Sequence, residues 1–421
     1  MATEDKTIVS ADRLSFLYRT SQAFNASLDL DKVLDTVIDE IIELTGAERG
    51  FLMLYDADNN LAFQVARGID QTNIENPEHG ISHSVINKVA ESGEGMFTLD
   101  AQTEESLAAQ LSIVNFKLRA ILCTPLMVKE KMLGVVYVDN RMVPGVFTED
   151  DLDMLKTVAS NAAVAIENAR LYQVAVDKGK MEQELQVAKK VQSGLIPQTT
   201  PEIEGWEFAS HWEPAKEVAG DFFDFIEKKD GKIGLMIADV VDKGIAAALY
   251  MAFSRSTLRA SLTGSEFPNE GISKANQLIC NDTAYGMFLT LAYLEIDPGN
   301  FEIRIVNGGH NPPLVYQKSK KGLTPIPRTG MLVGVDDQAK YEETIVKLEV
   351  GDFIVLFTDG VTEAINQKDE EFGNERLEKI IMSNKKASAQ ELMDVILSKL
   401  TAFTENTPQF DDITLLIAKH I

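Results

Sequence analysis

The chain has 421 residues, 45% hydrophobic and 25% charged, an ordinary globular composition that excludes a disordered, collagenous or disulfide-scaffold protein. At about 150 residues per domain, two or three domains are expected rather than one core. The 40 Lys and Arg against 65 Asp and Glu leave a net charge of −25, which repels phosphate backbones and anionic lipid heads and argues against nucleic-acid and membrane-surface binding.

Taken in chain order, Leu14, Leu17 and Phe24, then Leu34, Val37, Ile38, Ile41 and Ile42, recur at helical spacing and predict two helices, with Asp29 or Asp31 available as a cap. The period then changes. Gly50 to Tyr55, the turn-forming Asp56-Ala57-Asp58-Asn59-Asn60, and alternating Leu61, Phe63 and Val65 predict a β-hairpin. A second hairpin pairs Ala120 to Val128 with Leu133 to Asp139 about Lys129-Glu130-Lys131, and Thr148-Glu149-Asp150-Asp151 supplies a capping box for a long helix. These pieces make an α+β domain of about 160 residues. Cys123 and Cys280 sit far apart in apolar stretches, so both read as inert core thiols rather than a disulfide or zinc framework. Met1 to Lys6 lacks the basic and apolar regions of a signal peptide, and no apolar run approaches about 18 residues, so a cytoplasmic location is expected.

The order of those pieces, with Leu44 to Gly50 before the first strand and Leu133 to Asn140 late, resembles a GAF sensory domain over roughly residues 12–172. The resemblance implies a scaffold that holds a small ligand of unknown identity or serves as a dimerising domain. Beyond it, Val164, Glu167, Leu171, Val174, Lys178, Met181, Leu185, Ala188, Gln192 and Leu195 follow a strict 3,4 spacing. That predicts a coiled-coil linker and a homodimer, with Lys178 and Gln192 weakening the seam; the alternative is one helix packed on its own chain. Pro197 ends the helix in either case. The expected division is a GAF-like domain over 1–172, a linker helix over 173–197 and a third domain over 198–421.

In that third domain, apolar alternation marks strands at Lys232 to Val241, Met287 to Asp297, Phe301 to Asn307, Phe353 to Thr358 and Asp412 to Lys419. Helical spacing marks Ile245 to Leu262, Ile272 to Asp282 and Ala389 to Phe403, so two sheet layers covered by helices are expected. Acidic residues recur where apolar strands stop: Asp221 after Gly220, Asp239 before Val240, Asp359 before Gly360, and the pair Asp411-Asp412. One such aspartate is ordinarily a turn or cap residue. Several brought together repel one another unless a cation neutralises them, and hard oxygen ligands favour Mg²⁺ or Mn²⁺. GxxxxGK[ST], GxGxxG after a strand, HExxH and GxSxG are all absent. Of the five histidines (His79, His83, His211, His310, His420), only His310 stands in a constrained loop, Asn307-Gly308-Gly309-His310-Asn311-Pro312-Pro313, where a structural role is the ordinary reading.

Val191 to Pro197, Pro214 to Asp224, Ile237 to Gly244, Gly308 to Pro313, Phe357 to Ala364 and Asp411 to Leu415 together resemble the SpoIIE/RsbU branch of the metal-dependent PPM serine/threonine phosphatases. The resemblance implies an αββα sandwich holding two Mn²⁺ or Mg²⁺ ions. The ligands would be Asp221, Asp239, the carbonyl of Val240, Asp359 and Asp411, with Asp412 the alternative to Asp411. The leaving serine oxygen would take its proton from His310 or from a second water at the metals. It further implies a phosphoprotein substrate, typically an anti-sigma-factor antagonist in bacterial partner switching. A metal-binding pseudophosphatase scaffold and a hydrolase of small phosphate esters are the alternatives. Two departures stand out: Ala219-Gly220 replaces a double glycine, and Asp242 occupies a glycine position in Asp239-Val240-Val241-Asp242-Lys243-Gly244. Aspartate accepts a left-handed backbone less freely than glycine, so a reduced basal activity is expected.

Overall fold

A computed structural model describes residues 15–78, 80–98, 118–282, 286–405 and 407–421; Leu14, His79 and Met1 to Lys6, named above, lie outside them. The chain divides into two compact units, Met1–Met181 and Glu182–Ile421.

In the first unit, helix α1 spans residues 15–24 and is followed by α2 (Leu30–Thr45), whose start is capped by Asp29 accepting from the Lys32 N–H, so Asp29 rather than Asp31 is the cap. Strands β1 (Arg49–Tyr55), β2 (Leu61–Gly68), β3 (Met96–Thr98), β4 (Ala120–Val128) and β5 (Lys131–Asn140) form one antiparallel sheet in the order β2-β1-β5-β4-β3. Helix α3 (His83–Ser92), which the sequence pattern did not mark, packs Val85, Ile86 and Val89 with Phe51, Ile121, Cys123 and Tyr137. The alternate residues Leu52, Leu122, Val136 and Val138 pack instead with α2 and the start of α4 (Glu149–Leu195), as the two-residue period of a strand requires. The capping box is present at α4: Thr148 Oγ1 accepts from the Asp151 N–H while Asp151 Oδ2 accepts from the Thr148 N–H. The fully buried Asp139 is paired with Arg49, whose guanidinium also donates to the Gly80 carbonyl at 2.7 Å.

The second unit is a sandwich of two five-stranded antiparallel sheets. One has the order β13-β10-β9-β8-β7, from β7 (Phe222–Glu227), β8 (Ile233–Val240), β9 (Leu289–Asp297), β10 (Glu302–Gly308) and β13 (Thr344–Lys347). The other has the order β12-β11-β14-β15-β6, from β6 (Trp206–Glu213), β11 (Leu314–Gln317), β12 (Gly322–Pro325), β14 (Phe353–Phe357) and β15 (Ile413–His420). Ile354, Leu356, Leu416 and Ala418 join the core shared with the first sheet, whereas Val355, Phe357, Leu415 and Ile417 join a second core with α8 (Gly373–Ser383) and α9 (Ala389–Thr404). Helices α5 (Ile245–Thr263) and α6 (Pro268–Asp282) cover the first sheet, and the short α7 (Asp359–Thr362) follows β14 directly. The expected αββα layering is therefore the observed one.

Strands β6, β7, β11, β12 and β13 and helices α7 and α8 were not marked by periodicity. In β7, Phe222-Phe223-Asp224-Phe225-Ile226 is buried on both faces and does not alternate; β12 and β13 are four-residue edge strands, half exposed. Helix α6 opens at Pro268, ahead of the expected Ile272, because proline is at ease in the first turn. Cys123 is buried as expected, but Cys280 is only partly so.

Candidate metal centre

The sandwich brings the strand-end carboxylates of both sheets to one place. Asp221 leads into β7 and Asp239 closes β8, and the two strands are neighbours in register, with Phe222 opposite Ala238. Asp359 opens α7 after β14, and Asp411-Asp412 lead into β15, the neighbour of β14 in the other sheet. A hydrogen bond crosses from sheet to sheet: Thr414 Oγ1 donates to Asp221 Oδ2 at 2.7 Å.

The two adjacent aspartates do different work. Asp412 is spent on the main chain, accepting from Ala215 N (2.8 Å), Gly220 N (2.8 Å) and Asp221 N (3.3 Å), so it holds the segment that carries Asp221. Asp411 faces Lys243, whose ammonium lies 2.9 Å from Oδ2. The same segment is gripped from the other side by Gln192 of α4. Its amide is buried, donates to Ala219 O at 2.7 Å and accepts from Ala219 N at 2.9 Å. Gln192 is therefore not simply a weak seam residue; its burial in the second unit removes it from any coiled-coil seam. Trp212 Nε1 donates to the Asp221 carbonyl at 3.0 Å and completes the support.

Close approach requires glycine at position 360 and leaves little room at position 220. A Cβ at Gly360 would lie 2.0 Å from the Asp412 carbonyl oxygen, and one at Gly220 would lie 3.2 Å from the Val240 carbonyl oxygen. Asp242, the residue that departs from the family pattern, has φ +78°, a left-handed backbone that costs an aspartate more than a glycine.

The cluster is compensated at one edge only, where Lys243 pairs with Asp411 and partly offsets Asp359. Burial pushes the Asp221 carboxyl well above the ordinary range, and the charges of Asp239 and Asp412 push it further. Burial, then Asp359, pushes Asp239 up to about 7, with a hydrogen bond to Asp221 offsetting this in part. Burial and then Asp411 raise Asp359. Asp224, three positions on and fully buried, shows the contrast: Arg255 lies 3.0 Å and Arg259 2.6 Å from its oxygens. Among the ion pairs of the described residues, none involves Asp221, Asp239 or Asp359. A set of hard, largely uncompensated oxygens fits a hard divalent cation in charge and donor type. Among the described residues no three of these carboxylates already converge as a finished coordination set.

His310 is buried between the sheets. Its Nδ1 lies 2.6 Å from Thr290 Oγ1, its main-chain N–H donates to Asn307 Oδ1 at 2.8 Å, and Nε2 has no partner among the described residues. Burial pushes its pKa down to about 4, so the ring is neutral at pH 7 and does not carry the proton of an imidazolium acid. Sequence reasoning missed Gln192, Lys243, Thr414 and Trp212. Of these, Gln192, Lys243 and Thr414 stand inside the quoted motifs, which is the one signal that pointed to them.

Residues 229–421 match the family model Stage II sporulation protein E (SpoIIE), and residues 29–166 match the GAF domain. Asp221 and Gln192 lie ahead of the first match. Protein IcfG of Synechocystis sp. is 30% identical over 262 residues, covering 55% of this chain and 41% of that protein. The phosphoserine phosphatase RsbU of Bacillus subtilis is 28% identical over 242 residues, covering 57% of this chain and 71% of that protein. The chain thus spans less than half the length of the first of these relatives. Among solved structures, the SiaA-PP2C domain of Pseudomonas aeruginosa superimposes with a TM-score of 0.53 at 19% identity, over 58% of this chain and 99% of that one, a likeness of fold.

Proposed function

We propose that this chain, which joins a GAF domain to a SpoIIE-type phosphatase domain, is a signal-regulated, metal-dependent protein serine/threonine phosphatase. The observation that carries the reading is the gathering of Asp221, Asp239, Asp359 and Asp411 at the strand ends of two sheets, with burial and mutual repulsion raising the first three and Lys243, among the described residues, the one protein cation acting on Asp359 and Asp411.

Asp221, Asp239, the Val240 carbonyl, Asp359 and Asp411 would hold two Mn²⁺ or Mg²⁺ ions. When bound, such a pair supplies an activated water and a clamp on the phosphoryl oxygens, which permits in-line displacement of the serine oxygen without a covalent phosphoenzyme. The chain's own residues do the positioning. Asp412 and Gln192 fix the segment carrying Asp221, Gly360 lets the Asp359 turn pack against the Asp412 carbonyl, and Thr414 ties Asp221 to the second sheet. Lys243 aims the Asp411 carboxylate.

The substrate in this reading is a phosphoserine or phosphothreonine protein, of the anti-sigma-factor antagonist kind, in keeping with the activity named for RsbU. We divide the chain into a GAF domain at 1–172, a linker helix at 173–197 and a phosphatase domain at 198–421. The GAF domain would sense a small ligand. Helix α4, which runs from the GAF domain into the linker, would pair two copies through Val164, Leu171, Val174 and Met181, which are exposed on it. No helix among the described residues is long and apolar enough to cross a membrane, and a cytoplasmic setting is the one we propose.

The test is phosphate release from a phosphoserine protein and from p-nitrophenyl phosphate, with and without Mn²⁺, for the intact chain and for Asp359→Asn. Mn²⁺-dependent release that Asp359→Asn abolishes is the expected result. Mn²⁺ binding with no turnover of either substrate would replace this reading with a pseudophosphatase scaffold.

A further inference from the structure

A groove of about 290 Å³ opens beside the candidate metal centre, with Gly360 and Asp411 at one end. One wall is α9, which contributes Leu397, Leu400 and Thr401; Glu213 and Glu363 stand among the other lining residues. No lysine or arginine lines it among the described residues, while three carboxylates do: Glu213, Glu363 and Asp411. At its rim Phe410 is 70% exposed yet held in place. The Lys243 ammonium sits 4.0 Å from its ring centroid and donates to its carbonyl at 2.9 Å. A preorganised exposed aromatic beside an apolar floor is the usual anchor of a recognition surface, since little conformational freedom is lost on binding. Thr407 also lines the groove, and its hydroxyl is buried without a partner among the described residues.

Resting on the phosphatase reading, we infer that this groove docks the polypeptide segment flanking the phosphoserine. An apolar side chain would lie against Phe410 and Leu397, and a cationic one would face Glu213 and Glu363. Continuity with the carboxylate cluster sets the register, because a chain lying in the groove passes Asp411 and Gly360. Lys243 at the rim is already engaged by Asp411 and the Phe410 ring, and His211 lies 3.2 Å from Glu213, so the carboxylate excess left for a partner is that of Glu213 and Glu363, which favours a cationic side chain.

The experiment uses the full chain with Mn²⁺ and three substrates: p-nitrophenyl phosphate, a phosphoserine peptide with leucine and arginine beside the phosphoserine, and the same peptide with glycine and glutamate there. Three variants are compared with the parent: Phe410→Ala, Thr401→Trp, which fills the groove from an exposed helix position, and Glu213→Gln with Glu363→Gln. The inference expects the parent to favour the leucine-arginine peptide. It expects Phe410→Ala and Thr401→Trp to raise KM for that peptide on the order of tenfold, with p-nitrophenyl phosphate turnover of Thr401→Trp, which touches none of the carboxylates, within about twofold of the parent. The double glutamine variant should erase the preference for arginine. Peptide kinetics unmoved in every variant, or peptide and ester rates falling together in Thr401→Trp, would overturn the groove while leaving the phosphatase reading in place. A parent that hydrolyses none of the three substrates would instead remove that reading and this inference with it.

Discussion

Gln192→Ala removes both hydrogen bonds between the linker helix and Ala219, two residues before Asp221. Gln192 is 4% exposed and Ala219 fully buried, so the Ala219 N–H and C=O lose their partners where water enters poorly. Each buried main-chain group left unpaired costs about 1–3 kcal/mol, which for the two groups sums to about 2–6 kcal/mol. The chain's two tryptophans, Trp206 and Trp212, both lie in β6 of the second unit, and Trp212 donates to the Asp221 carbonyl. Their fluorescence during urea unfolding therefore reports the unit in question even in the full chain. With a urea dependence of roughly 3 kcal/mol per molar for a unit of this size, the midpoint should fall by about 1 M. Gln192→Glu should do nearly as badly, because a carboxylate accepts from the Ala219 N–H but cannot donate to its carbonyl. Lys190→Ala, exposed on the same helix, should shift it by no more than about 0.2 M. A Gln192→Ala midpoint as close to the parent as that control would refute the claim that the linker helix secures the Asp221 segment.

The adjacent aspartates should separate cleanly. Asp412→Asn halves the acceptors offered to Ala215, Gly220 and Asp221 and should lower stability by about 1–3 kcal/mol; Asp411→Asn should leave the urea midpoint near the parent's while weakening Mn²⁺ binding measured by calorimetry. Equal effects of the two on Mn²⁺ affinity, with no difference in stability, would count against the assignment. Asp239 is raised from an ordinary 3.8 to about 7, so in metal-free protein the folded state holds its proton more tightly than the unfolded chain does. That stabilisation is complete below the unfolded value and lost as pH rises toward 7, so unfolding midpoints in EDTA should fall between about pH 4 and pH 7. Added Mn²⁺, which needs the deprotonated carboxylates, should stabilise more at high pH than at low; a pH-independent metal effect would contradict the cluster's electrostatics. Gly360→Ala places a methyl 2.0 Å from the Asp412 carbonyl and should abolish both Mn²⁺ binding and turnover, read by the same two assays.

Much of the fold was legible because local chemistry specifies it. The apolar face of α2, the hairpin turn at Asp56 to Asn60 and the capping box at Thr148 each lie within a few residues and need no partner from elsewhere. The acidic strand ends were legible for the same reason, since each sits in a short run where an apolar strand stops. What the sequence by itself determined was thus an α+β domain, a long helix and a sandwich of two helix-covered sheets, together with the acidic positions at its strand ends. Which carboxylate does what was decided only by tertiary structure. Asp411 and Asp412 are neighbours of identical chemistry, and they differ because groups 191 to 197 residues away in the chain present their N–H to one of them. Gln192 reads as a flaw in a heptad until Ala219, 27 residues on, is packed beneath it. His310 lies in a constrained loop whose ordinary reading is structural, and only the folded chain shows that its ring is buried. Period and turn chemistry act over a few residues; desolvation and the pairing of buried polar groups act through whatever the folded chain brings alongside, and a linear pattern does not encode those neighbours.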